Sequence, residues 1–404
     1  MKAFSIVARA GSISAAAPMI HLSQPAITQA LSKLESALGV KLLMRDRSGV
    51  ATTEPGELFL KRVERALLLL QTGCERASQE GGGRGSKSDG SFDHMLTIQQ
   101  LSALIAISDT GNFSMAARAM GLSQPSVHRL ARDLERSAQI SLFQRHAKGI
   151  ALTPAAEVLG QFSQLAFAEI EQGFQELDEG MGRGAGRLTI GTLPLVRTTI
   201  LPRAINAFTR ESPDTHISVV DGPYDDLLYA LRHGRVDFIL GALRDDLPVN
   251  DVEQERLFSD RLGVFARKGH PLTGRETVSK AELAEYPWII PRPGTPTRQH
   301  FDMFFGVGED GDDDGGGGPT RVLEASSLIL IRGLLANSDR LAMISRNQIL
   351  QEQASDLVEP LAVELDDEPR DIGITKRLEW YPTAEQQRFL DTIEQVVAET
   401  DNLS

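Results

Sequence analysis

The feature that most constrains this chain is that part of it occurs twice. Residues 11–35, GSISAAAPMIHLSQPAITQALSKLE, align without a gap with residues 111–135, GNFSMAARAMGLSQPSVHRLARDLE. The match continues through Leu42/Leu142, Arg45/Arg145, Gly49/Gly149, Thr53/Thr153 and Glu57/Glu157, always at an offset of 100. About a third of positions 11–57 are identical to their partners. A chain of this kind must fold two copies of one small unit before it does anything else.

Each unit reads as helix, helix, tight turn, helix, then hairpin. In the second copy Leu101, Leu104, Ile105 and Ile107 form the apolar face of a first helix that stops at Gly111. Ser114 is the expected N-cap of a short Ala-rich helix ending at Gly121. Ser123 caps the next helix, with Pro125 in its first turn. Val127, Leu130 and Leu134 then face a core, while His128, Arg129 and Arg132 fall on the other side. ISLFQRHAKGIALT reads as a β-hairpin wing turning at Lys148–Gly149. The first copy starts at Met1 with a shortened first helix, which implies weaker folding or affinity.

Ala-Ala, Ser-Gln-Pro, Leu-Glu, Leu-x-x-Arg and a closing Thr, at SQPAITQALSKLE and again at SQPSVHRLARDLE, resemble the winged helix-turn-helix of LysR-type transcriptional regulators. The resemblance implies DNA contact by Ser23, Gln24, Pro25, Thr28 and Gln29 in copy one, and by Ser123, Gln124, Pro125, His128, Arg129 and Arg132 in copy two. Early residues of a recognition helix enter the major groove, where Gln pairs with adenine and Arg with guanine. Arg45 and Arg145 on the wings would reach backbone or minor groove. Family members usually carry Ser where this chain has Thr28 and His128, so the two copies should read different sequences. Each copy is followed by a helical pattern, at 57–78 and 156–177. In the resembling family this helix joins the two domains and pairs antiparallel in a dimer. With both helices on one chain, pairing within the chain is expected to win through its high effective concentration, giving a pseudo-dimer.

From Arg187 the pattern becomes βαβ: strands at 187–191, 216–221 and 237–242 alternate with helices at 201–214 and 227–236. LPRAINAFTRESPD, LRHGRVDFILG, LGVFARKGHPL and DIGITKR resemble the LysR-type effector domain. The fold class implied is α/β behind an all-α-rich front. Two winged helix-turn-helix domains with linker helices precede a two-lobed, Rossmann-like domain similar to periplasmic binding proteins. The boundaries expected are 1–56 and 95–153 for the winged units, 57–79 and 154–182 for the linker helices, and 80–94 for a Gly/Ser-rich linker. The effector domain is 187–404, with lobe one at 187–263 and 360–404 and lobe two at 264–359. An effector should bind where strand ends face the crevice between lobes. Thr192 and Pro194 are the candidates from lobe one; Thr295, Thr297, Arg298, Ser326 and Ser327 are those from lobe two. Hydroxyls, helix-terminal amides and one arginine suit a small organic acid or a sugar acid.

A net charge of −13 alone argues against nucleic acid, but the charge is segregated. Residues 1–62 carry eight Lys/Arg against four acids and residues 95–157 six against four, so the acidity lies elsewhere. The single cysteine, Cys74, excludes an internal disulfide and reads as helix filler. The start, MKAFSIVARAGSISAAAP, lacks the pattern of a secretory leader, and no apolar run is long enough to span a membrane; the cytoplasm is the expected compartment. GVGEDG lacks the strand and helix a nucleotide loop needs, and DGDDDG has Arg321 where a calcium loop needs Glu. No catalytic constellation, metal site or cofactor is expected. The reading is a DNA-binding regulator, not an enzyme, with double-stranded DNA carrying an imperfect palindrome, a small acid, further copies of itself (dimer or tetramer) and RNA polymerase as partners. An enzyme on the periplasmic-binding fold and a constitutive architectural DNA binder are the alternatives; turnover of a ligand would mark the first, ligand-independent DNA affinity the second.

Overall fold

The computed structural model describes residues 1–46, 49–81, 92–146, 149–184, 186–306, 318–365 and 369–401. It divides into a front unit built on Met1–Arg187 and a back unit built on most of the remainder. The GVGEDG run beyond Gly306, the DGDDDG loop, most of the Gly/Ser-rich linker and Lys148 lie outside the described residues.

In copy one, α1 (Lys2–Ala10), α2 (Ile13–Met19) and α3 (Gln24–Leu38) lead to the hairpin of β1 (Leu43–Asp46) and β2 (Gly49–Thr52), then to α4 (Glu54–Glu80). Copy two repeats the order with α5 (Ile98–Thr110), α6 (Phe113–Met120), α7 (Gln124–Ala138), β3 (Phe143–His146), β4 (Gly149–Leu152) and α8 (Pro154–Gly180). Side-chain caps set the helix starts: Ser12, Ser23, Thr53, Ser123 and Thr153 each accept an orphan amide of the following turn. The cap of α6 is not Ser114. Asn112 holds that place, its side-chain oxygen accepting from the amides of Ser114 (2.7 Å) and Met115 (3.4 Å). An Asx oxygen two residues before Ser114 reaches both orphan donors and so starts the helix earlier. β3 ends at His146 and Gly149 is the first residue of β4; Lys148 of the expected turn lies outside the described residues. α1 is four residues shorter than α5, at 9 against 13.

The two linker helices make the front unit a single body. Phe162 packs on Gly73, and Arg62 and Phe59 pack on Gly173. As numbers rise along α4 they fall along α8, so the pair is antiparallel. Each helix begins in its own copy and ends in the other's core. Leu177 of α8 is buried with Phe4, Ile27, Leu42 and Phe59 of copy one. Cys74 and Ala77 of α4 are buried with Leu104, Leu134, Leu142 and Leu159 of copy two.

Among the described residues the back unit holds two sheets. β5 (Arg187–Thr192), α9 (Ile200–Glu211), β6 (His216–Asp221), α10 (Tyr224–Arg232), β7 (Phe238–Ala242) and β8 (Val252–Asp260) open the first. The second is built by β9 (Leu262–Arg267), α11 (Lys280–Ala284), β10 (Trp288–Ile290), α12 (Pro296–Phe305), β11 (Val322–Glu324), α13 (Leu328–Ala336), β12 (Leu341–Ser345), α14 (Leu350–Ala354) and β13 (Val358–Pro360). β14 (Arg370–Arg377) returns to the first sheet and α15 (Ala384–Asp401) covers it. Among the described residues the strand orders are β6-β5-β7-β14-β8 and β11-β10-β12-β9-β13. β5 and β7 run parallel, as a βαβ crossover requires. α10 starts earlier and ends earlier than its apolar pattern suggests. Pro223 precedes its first turn, and Gly234, at φ 68°, turns the chain by a left-handed step that a side chain would resist. Phe208, Phe238 and Phe389 fill one core, and Trp288, Phe301 and Phe305 the other. The chain changes sheets at Arg261, between the end of β8 and the start of β9.

Candidate DNA-reading faces and effector crevice

In both copies the residue pattern Ser-Gln-Pro performs one local task. The hydroxyl of Ser23 caps α3, accepting from Ala26, and that of Ser123 caps α7, accepting from Ser126. This leaves Gln24 and Pro25, and Gln124 and Pro125, exposed at the very start of the helix. Ile27 and Leu31 in α3, and Val127, Ala131 and Leu134 in α7, are buried and fix the rotation of each helix. Thr28, Gln29, His128 and Arg129 are therefore turned to solvent. Thr28 donates to the Gln24 carbonyl at 2.9 Å, so what its hydroxyl offers outward is an acceptor and a methyl group. His128 packs at a tilt of 52° beside Phe113, with ring centroids 5.1 Å apart, which limits its rotamers. Arg132 is tied to Glu135 at 2.9 Å, whereas the more forward Arg129 has no ion pair among the described residues. Arg45 is exposed on β1, and Arg145 lies on β3 opposite Ile150.

In each copy one carboxylate locks the wing to the reading helix. Glu35 accepts from the amides of Leu42 (3.0 Å) and Leu43 (3.2 Å). Glu135 does the same for Leu142 (2.9 Å) and Phe143 (3.1 Å). The Leu-Glu repeat carried this signal, although its partners could not be read from it. The C-terminus of α3 has a further fastening: Arg183, just beyond α8, donates to the Leu38 carbonyl at 2.9 Å.

The crevice residues fare less evenly. Thr192 is fully buried at the end of β5, its hydroxyl directed to the Val220 carbonyl at 3.5 Å, while Pro194 is exposed. Thr295 caps α12 and donates to the Arg292 carbonyl. Arg298 is paired with Asp302 at 2.7 Å on its own helix. Ser327 caps α13, and Ser326 before it is exposed. Among the described residues, Thr297 alone of these meets the opposite lobe, accepting from Arg370 at 2.5 Å.

Arg370 and its partners form a polar centre that sequence reading missed. Arg370 pairs with the wholly buried Asp260 at 2.6 Å, and Asp260 also accepts from Ser345 (2.6 Å) and Asn347 (3.0 Å). The Nε of Arg370 is buried without a hydrogen-bond partner among the described residues. Beside this centre lies a cavity of about 170 Å³, lined in part by Thr198, Thr199, Asp260, Arg261, Arg346 and Asn347. Among the described residues there is no cluster able to hold a metal ion, and no helix is long and apolar enough to cross a membrane.

Comparison with known proteins agrees with this division. A family model described as bacterial regulatory helix-turn-helix protein, lysR family, matches residues 1–57 and again 98–157. A second, the LysR substrate binding domain, matches residues 182–398. The chain is 32% identical to the HTH-type transcriptional regulator GalR of Pseudomonas putida, over 99% of this chain and 97% of that protein. It is 26% identical to the HTH-type transcriptional regulator GbpR of Azospirillum brasilense, over 62% of this chain and 72% of that one. Full-length OxyR from Pseudomonas aeruginosa superposes with a TM-score of 0.52 at 20% identity, covering 75% of this chain and 94% of that one, a likeness of fold alone.

Proposed function

Because the chain belongs to the LysR family of DNA-binding transcriptional regulators, with a duplicated helix-turn-helix and an effector-binding domain, we propose that its two winged units act as the two halves of one DNA-reading dimer folded from a single polypeptide. The observation that carries this reading is the antiparallel α4–α8 pair, which joins two reading helices with different exposed side chains. Gln24, Pro25, Thr28 and Gln29 would meet one half-site of an imperfect palindrome, and Gln124, Pro125, His128 and Arg129 the other. Ser23 and Ser123 set the helix starts, Arg132 adds charge behind the reading face, and Arg45 and Arg145 serve the backbone or minor groove. Effector domains remain available to bring chains together, and RNA polymerase is the partner through which such a complex would act.

The effector is a small organic acid or sugar acid. The unmet Nε–H of Arg370 supports this, since a buried charged donor without an acceptor favours an incoming oxygen, and Thr297 sits beside it. Thr295, Arg298, Ser326, Ser327 and Pro194 form the surrounding wall, whereas Thr192 serves the sheet. No resident cofactor or metal enters this reading, and no catalytic step. Thermal shift of the full chain against small carboxylates and their neutral amides tests it. Acids should raise the melting temperature and amides should not, and Arg370→Met should abolish the shift while leaving DNA binding intact. An amide that shifts the melt as strongly as its acid would contradict the effector class.

A further inference from the structure

The α4–α8 seam is symmetric in shape and asymmetric in charge. Residues at an offset of 100 occupy equivalent places: Gly73 receives Phe162, and Gly173 receives Arg62, the residue equivalent to Phe162. By shape alone, α8 could pair equally well with α8 of a second copy. The charges differ. At one end the Arg76 guanidinium lies 5.2 Å from the Phe162 ring. At the other, Arg62, 1% exposed, forms a bidentate pair with Glu176 (Nε 3.0 Å, Nη2 2.6 Å) and reaches Glu169 and Gln172, each at 3.0 Å. Arg65 approaches Glu169 from the same helix at 3.3 Å.

We propose that Arg62, Glu169 and Glu176 select the pairing partner: they make α4 and α8 accept each other and refuse a second copy of themselves. In an α8–α8 pair with the same geometry, Glu169 would face Phe162 and Leu165 of the other copy and Glu176 would face Phe162. The buried Glu169 and the largely covered Glu176 of each helix would lose their guanidinium partners. In an α4–α4 pair, Arg62 would face Leu69, Thr72 and Arg76, a cation buried against a cation. Breaking a buried, hydrogen-bonded ion pair by removing one side is strongly unfavourable, whereas a satisfied one is tolerated. The arrangement is therefore a registry device, in which charge decides between partners that shape leaves equivalent. It also carries a functional consequence, which rests on the reading of the front unit as two DNA-reading halves: copy-one and copy-two helices are always presented together, never two of a kind.

The test reads pairing and not DNA, so its failure is separate from failure of that reading. In full-length chains with Cys74→Ala, cysteines replacing Ala66 and Ala166, buried equivalents near the middle of the register that Gly73–Phe162 and Gly173–Arg62 set, are left to crosslink as a disulfide while the protein refolds from urea in a thiol–disulfide buffer. The native code should give a crosslink within one chain, and Ala166→Cys alone should give less than one-tenth as much product between chains. Arg62→Glu should cut the within-chain product at least tenfold, and so should Glu169→Arg with Glu176→Arg. All three changes in one chain should restore it. Mixing the two single-sided variants should restore it between chains, because each then supplies what the other lacks. An Arg62→Glu chain that crosslinks internally at the native level, or a mixture that yields no product between chains, would overturn the proposal.

Discussion

Glu35 sits near the end of α3 and holds the wing through two amides and the Lys41 ammonium, the latter at 2.6 Å. Burial alone would push its carboxyl up, but the hydrogen bonds from Lys41, Leu43 and Leu42 prevail and hold it below the ordinary value. A lowered folded value means that the stabilisation is complete above the ordinary carboxylate range and is lost as pH falls through the lowered one. Copy one should therefore lose stability as pH drops below about 4. Glu35→Gln should cost about 1.5–3 kcal/mol at neutral pH and flatten that acid limb, as read by urea unfolding across pH. A variant with the native acid profile would show that Glu35 is not the group responsible. What was legible at this scale was identity without partnership. The repeat singled out Glu35 and Glu135, and the Ser-Gln-Pro start marked the reading helix. Asp260 and Arg370 were not legible, because no periodicity links residues so far apart in sequence, which meet only when β14 returns from the second sheet and pairs with β8, setting Arg370 opposite Asp260.

The linker helices were readable as elements from their apolar spacing, and they start ahead of that spacing because Thr53 and Thr153 cap them. Gly73 and Gly173, equivalent positions well inside α4 and α8, read as breakers by propensity alone. The packing reverses this. A Cβ on Gly73 would lie 2.5 Å from the Phe162 Cβ, closer than two non-bonded carbons can sit, and each Cβ is fixed in place by its helix backbone. Gly73→Ala ordinarily favours a helix by nearly 1 kcal/mol. Here it should destabilise the front unit by about 1–3 kcal/mol through overpacking. A thermal melt that rises instead of falling would mean that the helices do not approach so closely. The cap of α6 was misplaced by two residues for a related reason. Ser114 and Asn112 are both good caps, and only the three-dimensional path shows which oxygen reaches the orphan amides.

At the scale of the whole molecule, charge segregation made a DNA-binding front compatible with an acidic chain, and the duplication made a second reading helix expected. The sequence could not show that each linker helix finishes inside the other copy's core, which turns two repeats into one folding body. The central claim is that one chain reads two different half-sites, and hydroxyl-radical footprinting of the full-length protein on its own upstream DNA tests it most directly. The native chain should protect paired, unlike half-sites. Gln24→Ala with Gln29→Ala should remove protection from one member of each pair. Arg129→Ala should weaken the other by about 1–3 kcal/mol and relax its preference at one base pair. Arg45→Ala, by contrast, should lower affinity for every sequence and reduce the salt slope by about one. If the Gln24/Gln29 variant left every protected position unchanged while Arg129→Ala erased both members of each pair, copy one would not read DNA and the single-chain dimer would be wrong.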